Sequence, residues 1–381
     1  MIAHRGGGRE RVVGALLAAP LGTAAPASFR YPFASCYNGR AVPETMLAAF
    51  SGGKEKIEVR EAPVPSPAPG EVLLRVRACG ICGSDLHFYR GQLPMLPTVS
   101  PGHEFAGEVV EAGEGVEGFA PGRRVVVEPL RTCRECDYCR TGNHQLCPRR
   151  VLLGTFAPGG LAEYVAVPAY TLYPLPDGMD FELAALVEPL AVVVHALHLV
   201  DLAFGDRVVV LGSGTIGVMT ALAARALGAA EVAVTYRYEH QARAALAAGA
   251  TRAVAADEAS ALADAKPDVV VETVGGHAET LGQAVGLARP GGRVSILGLF
   301  TGPVQVNALA MMLNEVRMAA AIMYCRARRL TDFEAALRMI EADPERARGI
   351  ITHRFPLAEA DQAFRTAVDK STASIKVQVI P

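Results

Sequence analysis

Three side chains in one short region of the sequence are suited to holding a metal. Cys82, His103 and Glu104 offer a thiolate, an imidazole and a carboxylate, the ligand types that borderline-soft zinc accepts. They belong to Cys-Gly-Ile-Cys-Gly-Ser-Asp-Leu-His at 79–87 and Gly-His-Glu at 102–104, separated by a proline-punctuated loop. Ser84 and His87 stand beside the first ligand, a hydroxyl and an imidazole able to pass a proton. A metal that polarises an oxygen needs such a proton exit, so the stretch reads as a catalytic zinc site. A second cluster, Cys133, Cys136, Cys139 and Cys147, can close a tetrahedral cage of four thiolates, as structural zinc requires. Buried free thiols or two disulfides are the alternatives. The repeated spacing lets consecutive thiolates converge on one ion but strains any pairing among them. Two zinc ions per chain are expected.

Positioning these groups takes a large folded chain, and 381 residues supply two or three ordinary domains. The formal net charge of −2 gives no electrostatic reason to expect nucleic acid or an acidic membrane as partner. No uninterrupted apolar run reaches the ~18 residues a membrane span needs. Clustered cysteines in a chain of this size favour metal binding in a reducing compartment, the cytoplasm. Residues 1–45 are rich in Gly, Ala and Pro, with Arg5, Arg9 and Arg11 ahead of the apolar run Val12–Leu21. A secretory signal would look similar, but Pro20 interrupts the run and the thiols downstream suit a reducing environment. The segment reads as a disordered extension, or as sequence upstream of a start at Met46.

From Met46 onward, short runs at 56–59, 71–77, 105–111 and 124–128 alternate with Pro- and Gly-containing turns, which predicts a partly closed β-domain. After residue 175 the character changes. A helical pattern over 181–200 contains Glu188-Pro189-Leu190. Strands are then expected at 207–211, 231–236, 268–272 and 293–298, with helices between them, giving a doubly wound parallel sheet. Gly212, Gly214 and Gly217, with Thr215 and Ile216 among them, follow the first of these strands and open its helix. That context turns a weak glycine motif into a dinucleotide site, because the helix N-terminus offers unpaired N–H donors to a pyrophosphate. From about residue 325 the β-plus-helix mixture resumes, with a helix over 332–341 and a closing strand over 374–380, and this part is expected to return to the first domain. His195 and His198 share a helix face and read as structural. His144 is surplus to a four-thiolate cage, and Arg326, Arg328 and Arg329 read as a solvated face or a domain edge.

Taken together these motifs resemble the zinc-dependent medium-chain alcohol dehydrogenases, in particular the polyol, butanediol and threonine dehydrogenase branch. The resemblance runs from about Met46 to Ile380 and includes Glu188-Pro-Leu and Thr352-His-Arg-Phe-Pro-Leu. It implies a GroES-like β-rich catalytic domain (46–189 and 326–381) around a Rossmann cofactor domain (190–325), usually as a homodimer or homotetramer. It implies Cys82 and His103 as zinc ligands, and Glu104 and Glu188 as carboxylates able to hold the metal directly or through water. Asp85 would orient the liganding histidine, and Ser84 and His87 would form the relay. Cys79 matches nothing functional and reads as an inert buried thiol. The expected reaction is reversible hydride transfer between a secondary alcohol, of polyol, diol or hydroxy-amino-acid type, and a nicotinamide cofactor. The alternatives are a non-enzymatic redox-responsive protein that binds zinc and a dinucleotide, and a zinc-independent quinone or enoyl reductase. The proton path speaks against the first and the cysteines with Gly-His-Glu against the second. Met323 stands where polyol dehydrogenases often carry an Arg beside the pocket Tyr324, so this pocket wall is less polar. At the end of the second cofactor-domain strand, where the family's acid would bind the adenosine ribose, the chain has Tyr236 and then Arg237. Losing the acid and gaining a guanidinium favours NADP over NAD.

Overall fold

The computed structural model describes residues 36–37, 40–94 and 96–381; most of the 1–45 extension, with its signal-like run, lies outside them. A hairpin of Thr45–Ser51 with Ile57–Pro63 precedes a seven-stranded sheet. The strands of that sheet are β1 (Glu71–Gly80), β2 (Glu104–Ala112), β3 (Arg124–Val127), β4 (Tyr164–Pro168) and β5 (Leu172–Pro174), with two strands from the chain's end described below. In β1, Val76 and Ala78 turn into the core while Arg75 and Arg77 turn outward, the period-two alternation of a half-buried strand. Register shifts against β2, between Leu73 and Leu74 and between Val76 and Ala78, add the local twist that bulges bring. Between β1 and β2 the chain makes a short helix, α1 (Gly83–Tyr89).

The expected long helix over 181–200 is two helices, Phe181–Ala184 and α2 (Val187–Leu199). Pro189 lies in the first turn of α2, where a missing N–H costs no intrahelical bond, so the helix starts just ahead of it. The helical stretch Phe181–Leu199 is apolar and long enough to cross a membrane, but 78% of that window is buried within the protein, as befits a core helix. Its Leu190, Val193, Val194 and Leu197 are essentially inaccessible, each stabilising the fold by about 1.5–3 kcal/mol.

Six parallel strands follow: β6 (Arg207–Leu211), β7 (Glu231–Tyr236), β8 (Arg252–Ala255), β9 (Val269–Glu272), β10 (Arg293–Ile296) and β11 (Arg317–Ala320). Their order across the sheet is β8-β7-β6-β9-β10-β11. The continuous valine runs of β6 and β9 are buried throughout, as strands covered on both faces must be. Helices α3 (Thr215–Ala226), α4 (Glu239–Ala247), α5 (Thr280–Leu287) and α6 (Ala308–Asn314) connect them. The strand order reverses between β6 and β9, and a ligand crevice opens at the strand ends beside such a switch point. Helix α7 (Asp332–Ala342), strand β12 (Ile351–Pro356), helix α8 (Ala360–Val368) and strand β13 (Lys376–Ile380) complete the chain. β13 pairs antiparallel with the end of β1 at Cys79 and Gly80, and parallel with β12. The last strand therefore lies beside the segment that carries Cys82. The fold is the GroES-like domain combined with the doubly wound Rossmann domain.

Candidate metal centre and cofactor cleft

Cys82 caps the N-terminus of α1. Its backbone N–H donates to Asp85 Oδ2 at 2.9 Å, and its side chain receives the backbone N–H of that same residue, a reciprocal capping box. Asp85 is fully buried, and its second carboxylate oxygen faces His103 Nδ1 at 3.6 Å. Burial pushes the Asp85 carboxyl up, opposed chiefly by His103. Burial disfavours the charged form of His103, but negative Asp85, Cys82 and Glu188 prevail and raise it well above the ordinary histidine range. Asp85 thus bridges the helix that offers the thiolate and the ring that offers the imidazole.

Glu104 opens β2 and is also fully buried. Both of its oxygens accept from Lys376 Nζ, at 2.8 and 2.6 Å, and Lys376 donates as well to the Ile81 carbonyl at 3.0 Å. Gly80 makes room for this pair, since a Cβ there would lie 2.0 Å from Glu104 Oε2. Removing one partner of a buried pair leaves an uncompensated charge, at a cost of about 3–5 kcal/mol. Lys376 escaped the sequence reading, although a lysine between Ile375 and Val377 in an apolar strand needs a buried carboxylate. Glu188, at the start of α2, is buried in the same region, where desolvation and Glu104 push it up to about 7 against the pull of His103.

The candidate ligand atoms of Cys82, His103 and Glu104 all lie within 4.8 Å of one another. With Asp85 and Glu188 nearby, the cluster holds one thiol and three carboxyl groups against a single lysine and an imidazole. Such an excess of buried anionic groups fits a divalent cation. The thiolate, imidazole and carboxylate set fits zinc in particular. Ser84 and His87 follow Cys82 on α1, three residues apart and therefore on one helix face. His87 Nδ1 donates to Gln92 Oε1 at 2.6 Å, which leaves Nε2 as the acceptor.

The four cysteines of the second cluster also converge, with their sulfurs within 4.8 Å. Cys147 Sγ donates to Cys133 Sγ at 3.5 Å, and Cys133 and Cys139 lie 3.8 Å apart. The backbone N–H groups of Glu135 and Cys136 hold Cys133 down to about 6, while burial and a Cys136 hydrogen bond push Cys139 up to about 12. A cation that takes all four as thiolates removes that imbalance. The cysteines of both clusters and Cys325 are free thiols, as is Cys79, buried and raised by desolvation as an inert thiol should be. His144, surplus to this cluster, donates from Nε2 to the buried Glu128. Glu128 also accepts from Tyr173 Oη at 2.9 Å and from Arg326 at 2.6 and 3.0 Å. Arg326 is therefore not part of a solvated face. Its partner is a buried carboxylate far away in sequence, a pairing that no local pattern announces.

Gly212, Gly214, Tyr236 and Arg237 line a cavity of about 1280 Å³ at the strand ends, with Lys370 and Arg90 also in its wall. Gly217 is required by packing, because a Cβ there would lie 2.0 Å from the Gly212 carbonyl oxygen. Thr215 and Ile216 do not line the cavity. The Thr215 hydroxyl donates to the Ile375 carbonyl at 2.6 Å, tying α3 to the segment that leads into β13. Arg237 is exposed and has no ion-pair partner among the described residues, while Glu239 is the charged group that acts most strongly on Tyr236. Lys370 is held below the ordinary lysine range by burial and by Lys376 and Arg90, a crowding of positive charge that suits an anionic ligand.

Comparison with known proteins gives a consistent picture. Residues 68–177 match the alcohol dehydrogenase GroES-like domain, and residues 215–342 match the zinc-binding dehydrogenase family. A sorbitol dehydrogenase of Halalkalibacterium halodurans is 34% identical over 345 residues, covering 88% of this chain and 98% of that protein. A zinc-binding dehydrogenase of Sinorhizobium meliloti, solved with NADP bound, superposes with a TM-score of 0.81 at 32% identity, over 89% of this chain and 100% of that one. The 2R,3R-butanediol dehydrogenase of Bacillus subtilis gives a TM-score of 0.80 at 30% identity, over 88% and 99% of the two chains.

Proposed function

The chain belongs to the zinc-dependent medium-chain alcohol dehydrogenases, and from that premise we propose that it oxidises a small diol or polyol at a secondary carbon, with NADP preferred to NAD. The observation that carries this reading is the convergent donor set of half-buried Cys82 and buried His103 and Glu104, with the proton-passing side chains of α1 next to it. Zinc held there, with Glu188 as the further carboxylate, would supply Lewis acidity to an alcohol oxygen, and a bound nicotinamide would supply the hydride acceptor. Asp85 keeps the imidazole of His103 oriented. Ser84 takes up the hydroxyl proton and His87 passes it to solvent through its free Nε2. A second zinc held by Cys133, Cys136, Cys139 and Cys147 has a structural role. The free thiols suit the cytoplasm, and a homodimer or homotetramer is the proposed assembly.

The cofactor preference rests on Tyr236 and Arg237. A carboxylate at the end of β7 would bind the ribose and repel a 2′-phosphate. Tyr236 occupies that end, Glu239 is engaged with Tyr236, and the unpaired Arg237 in the cavity wall can fork onto a phosphate. Steady-state rates over a panel of diols and polyols with both cofactors test the whole reading. Oxidation of a diol with higher kcat/KM for NADP is expected, and Arg237→Ala should lower the NADP:NAD ratio at least ~10-fold. No turnover of any secondary alcohol overturns the reaction, and an unchanged ratio overturns the role of Arg237.

A further inference from the structure

His195, Cys325 and Asp332 form a third buried group with metal-ligand character, their candidate atoms within 4.8 Å of one another. Its hydrogen bonds show a clamp and not a cage. Asp332 Oδ1 accepts from His198 Nδ1 and Oδ2 from His195 Nδ1, each at 2.8 Å. Oδ2 also accepts the Cys325 backbone N–H at 2.8 Å. The carboxylate is thereby occupied by three N–H donors. Two of them come from α2, the helix whose first turn carries Glu188 on the same face, seven residues before His195.

A second carboxylate holds the neighbouring residue. Glu128 takes the Arg326 guanidinium twice, and the Arg326 backbone N–H donates to the Gly142 carbonyl at 2.7 Å, inside the four-cysteine loop. Phe333, next to Asp332, links the two anchors. It stacks on Tyr173 at 4.9 Å and meets Tyr324 edge-on at 5.2 Å. Tyr324 is only 1% exposed. Its hydroxyl is buried without a well-formed hydrogen bond, and Glu188 is the charged group that acts on it most strongly. An orphaned buried hydroxyl beside a candidate metal ligand is a group waiting for a partner.

We infer that Asp332 and Glu128 are positioning residues, which together fix residues 324–326 and so hold the hydroxyl of Tyr324, the pocket tyrosine of the family resemblance, near Glu188 and toward the substrate. The inference rests on the alcohol dehydrogenase reading above. The hydroxyl would meet an oxygen of the alcohol, so misplacing it weakens substrate binding more than turnover.

Kinetics with vicinal butanediol as the probe, on the zinc-loaded full chain, test this. Arg326→Met is expected to raise KM at least ~10-fold with kcat within ~3-fold, while NADPH binding, followed by fluorescence, stays unchanged. Arg326→Lys should recover much of the loss. In a Tyr324→Phe background Arg326→Met should add less than ~2-fold, because residues acting through one group are not additive. Should Arg326→Met fail to fold, Asp332→Asn carries the same double-mutant comparison. Effects that add fully to Tyr324→Phe, or an unchanged KM, overturn the inference. A wild type that binds NADPH but oxidises no diol sinks the functional reading beneath it; an active wild type with additive variants sinks the clamp alone.

Discussion

Ser84 follows Cys82 by two residues, within the turn that the thiol caps, and is the first neutral hydroxyl beyond the donor set. Its task is defined by chemistry: an alcohol cannot give up hydride readily until its hydroxyl proton has somewhere to go. Ser84→Ala is therefore expected to lower kcat roughly 10²-fold, the usual scale for a lost proton-transfer group. His87→Ala should cost less, because His87 is only partly buried and water can stand in for its Nε2. Steady-state kcat for both variants checks the order, and equal rates for Ser84→Ala and wild type remove Ser84 from the path. At this scale the sequence was informative wherever chemistry demanded a residue type in a local pattern. Cys82, His103 and Glu104 could be read directly, whereas Asp85 came only with the family resemblance. Lys376, Glu128 and Asp332 could not, since each acts through partners more than a hundred residues away, and only the folded chain brings those together.

The four-cysteine loop has little regular structure of its own, a one-turn helix at Asp137–Arg140 and a 3₁₀ turn at His144–Leu146. A segment with so little apolar burial depends on its metal for folding free energy. Cys136→Ser is expected to reduce bound zinc from two ions to one per chain and to lower Tm clearly. Cys82→Ser should also leave one ion but abolish turnover with Tm nearly kept. Elemental analysis and thermal melts separate the two, and a Cys136→Ser variant with wild-type Tm would remove the loop's structural role. Among regular elements, β7 and α7 begin as the sequence indicates, because alternation, a valine run and the Thr331–Glu334 capping box are local signals. The break ahead of α2 was encoded by Pro189 but masked by the apolar composition on both sides. The pairing of β13 with β1 depends on sheet closure, which periodicity cannot supply.

At the scale of the whole molecule, the cofactor sheet ends in β11, whose outer edge pairs with no strand among the described residues. An open edge invites pairing and is usually blunted by charge, proline or a covering element. Here Glu315 and Arg317 supply exposed charge, but exposed apolar side chains flank them in sequence. Met312 and Leu313 on α6 are each 76% exposed and Ile322 is 67% exposed, with Leu309 and Met318 close in sequence. A cluster of that kind on a folded chain marks an interaction surface. A second copy suits this edge, because an antiparallel pair of identical edges is self-complementary about a two-fold axis and closes the assembly. Residues 308–322 would then join two cofactor sheets, leaving each metal centre to its own chain. Leu313→Glu with Met312→Lys should shift the protein toward monomer in sedimentation velocity at low micromolar concentration. The expected loss follows from placing charges in an apolar contact, where burial without partners is strongly unfavourable. Zinc content per chain should stay at two, since Met312 and Leu313 belong to neither zinc cluster. An unchanged mass for the double variant, or a wild type that sediments as a monomer, would overturn the assignment of this edge to self-assembly.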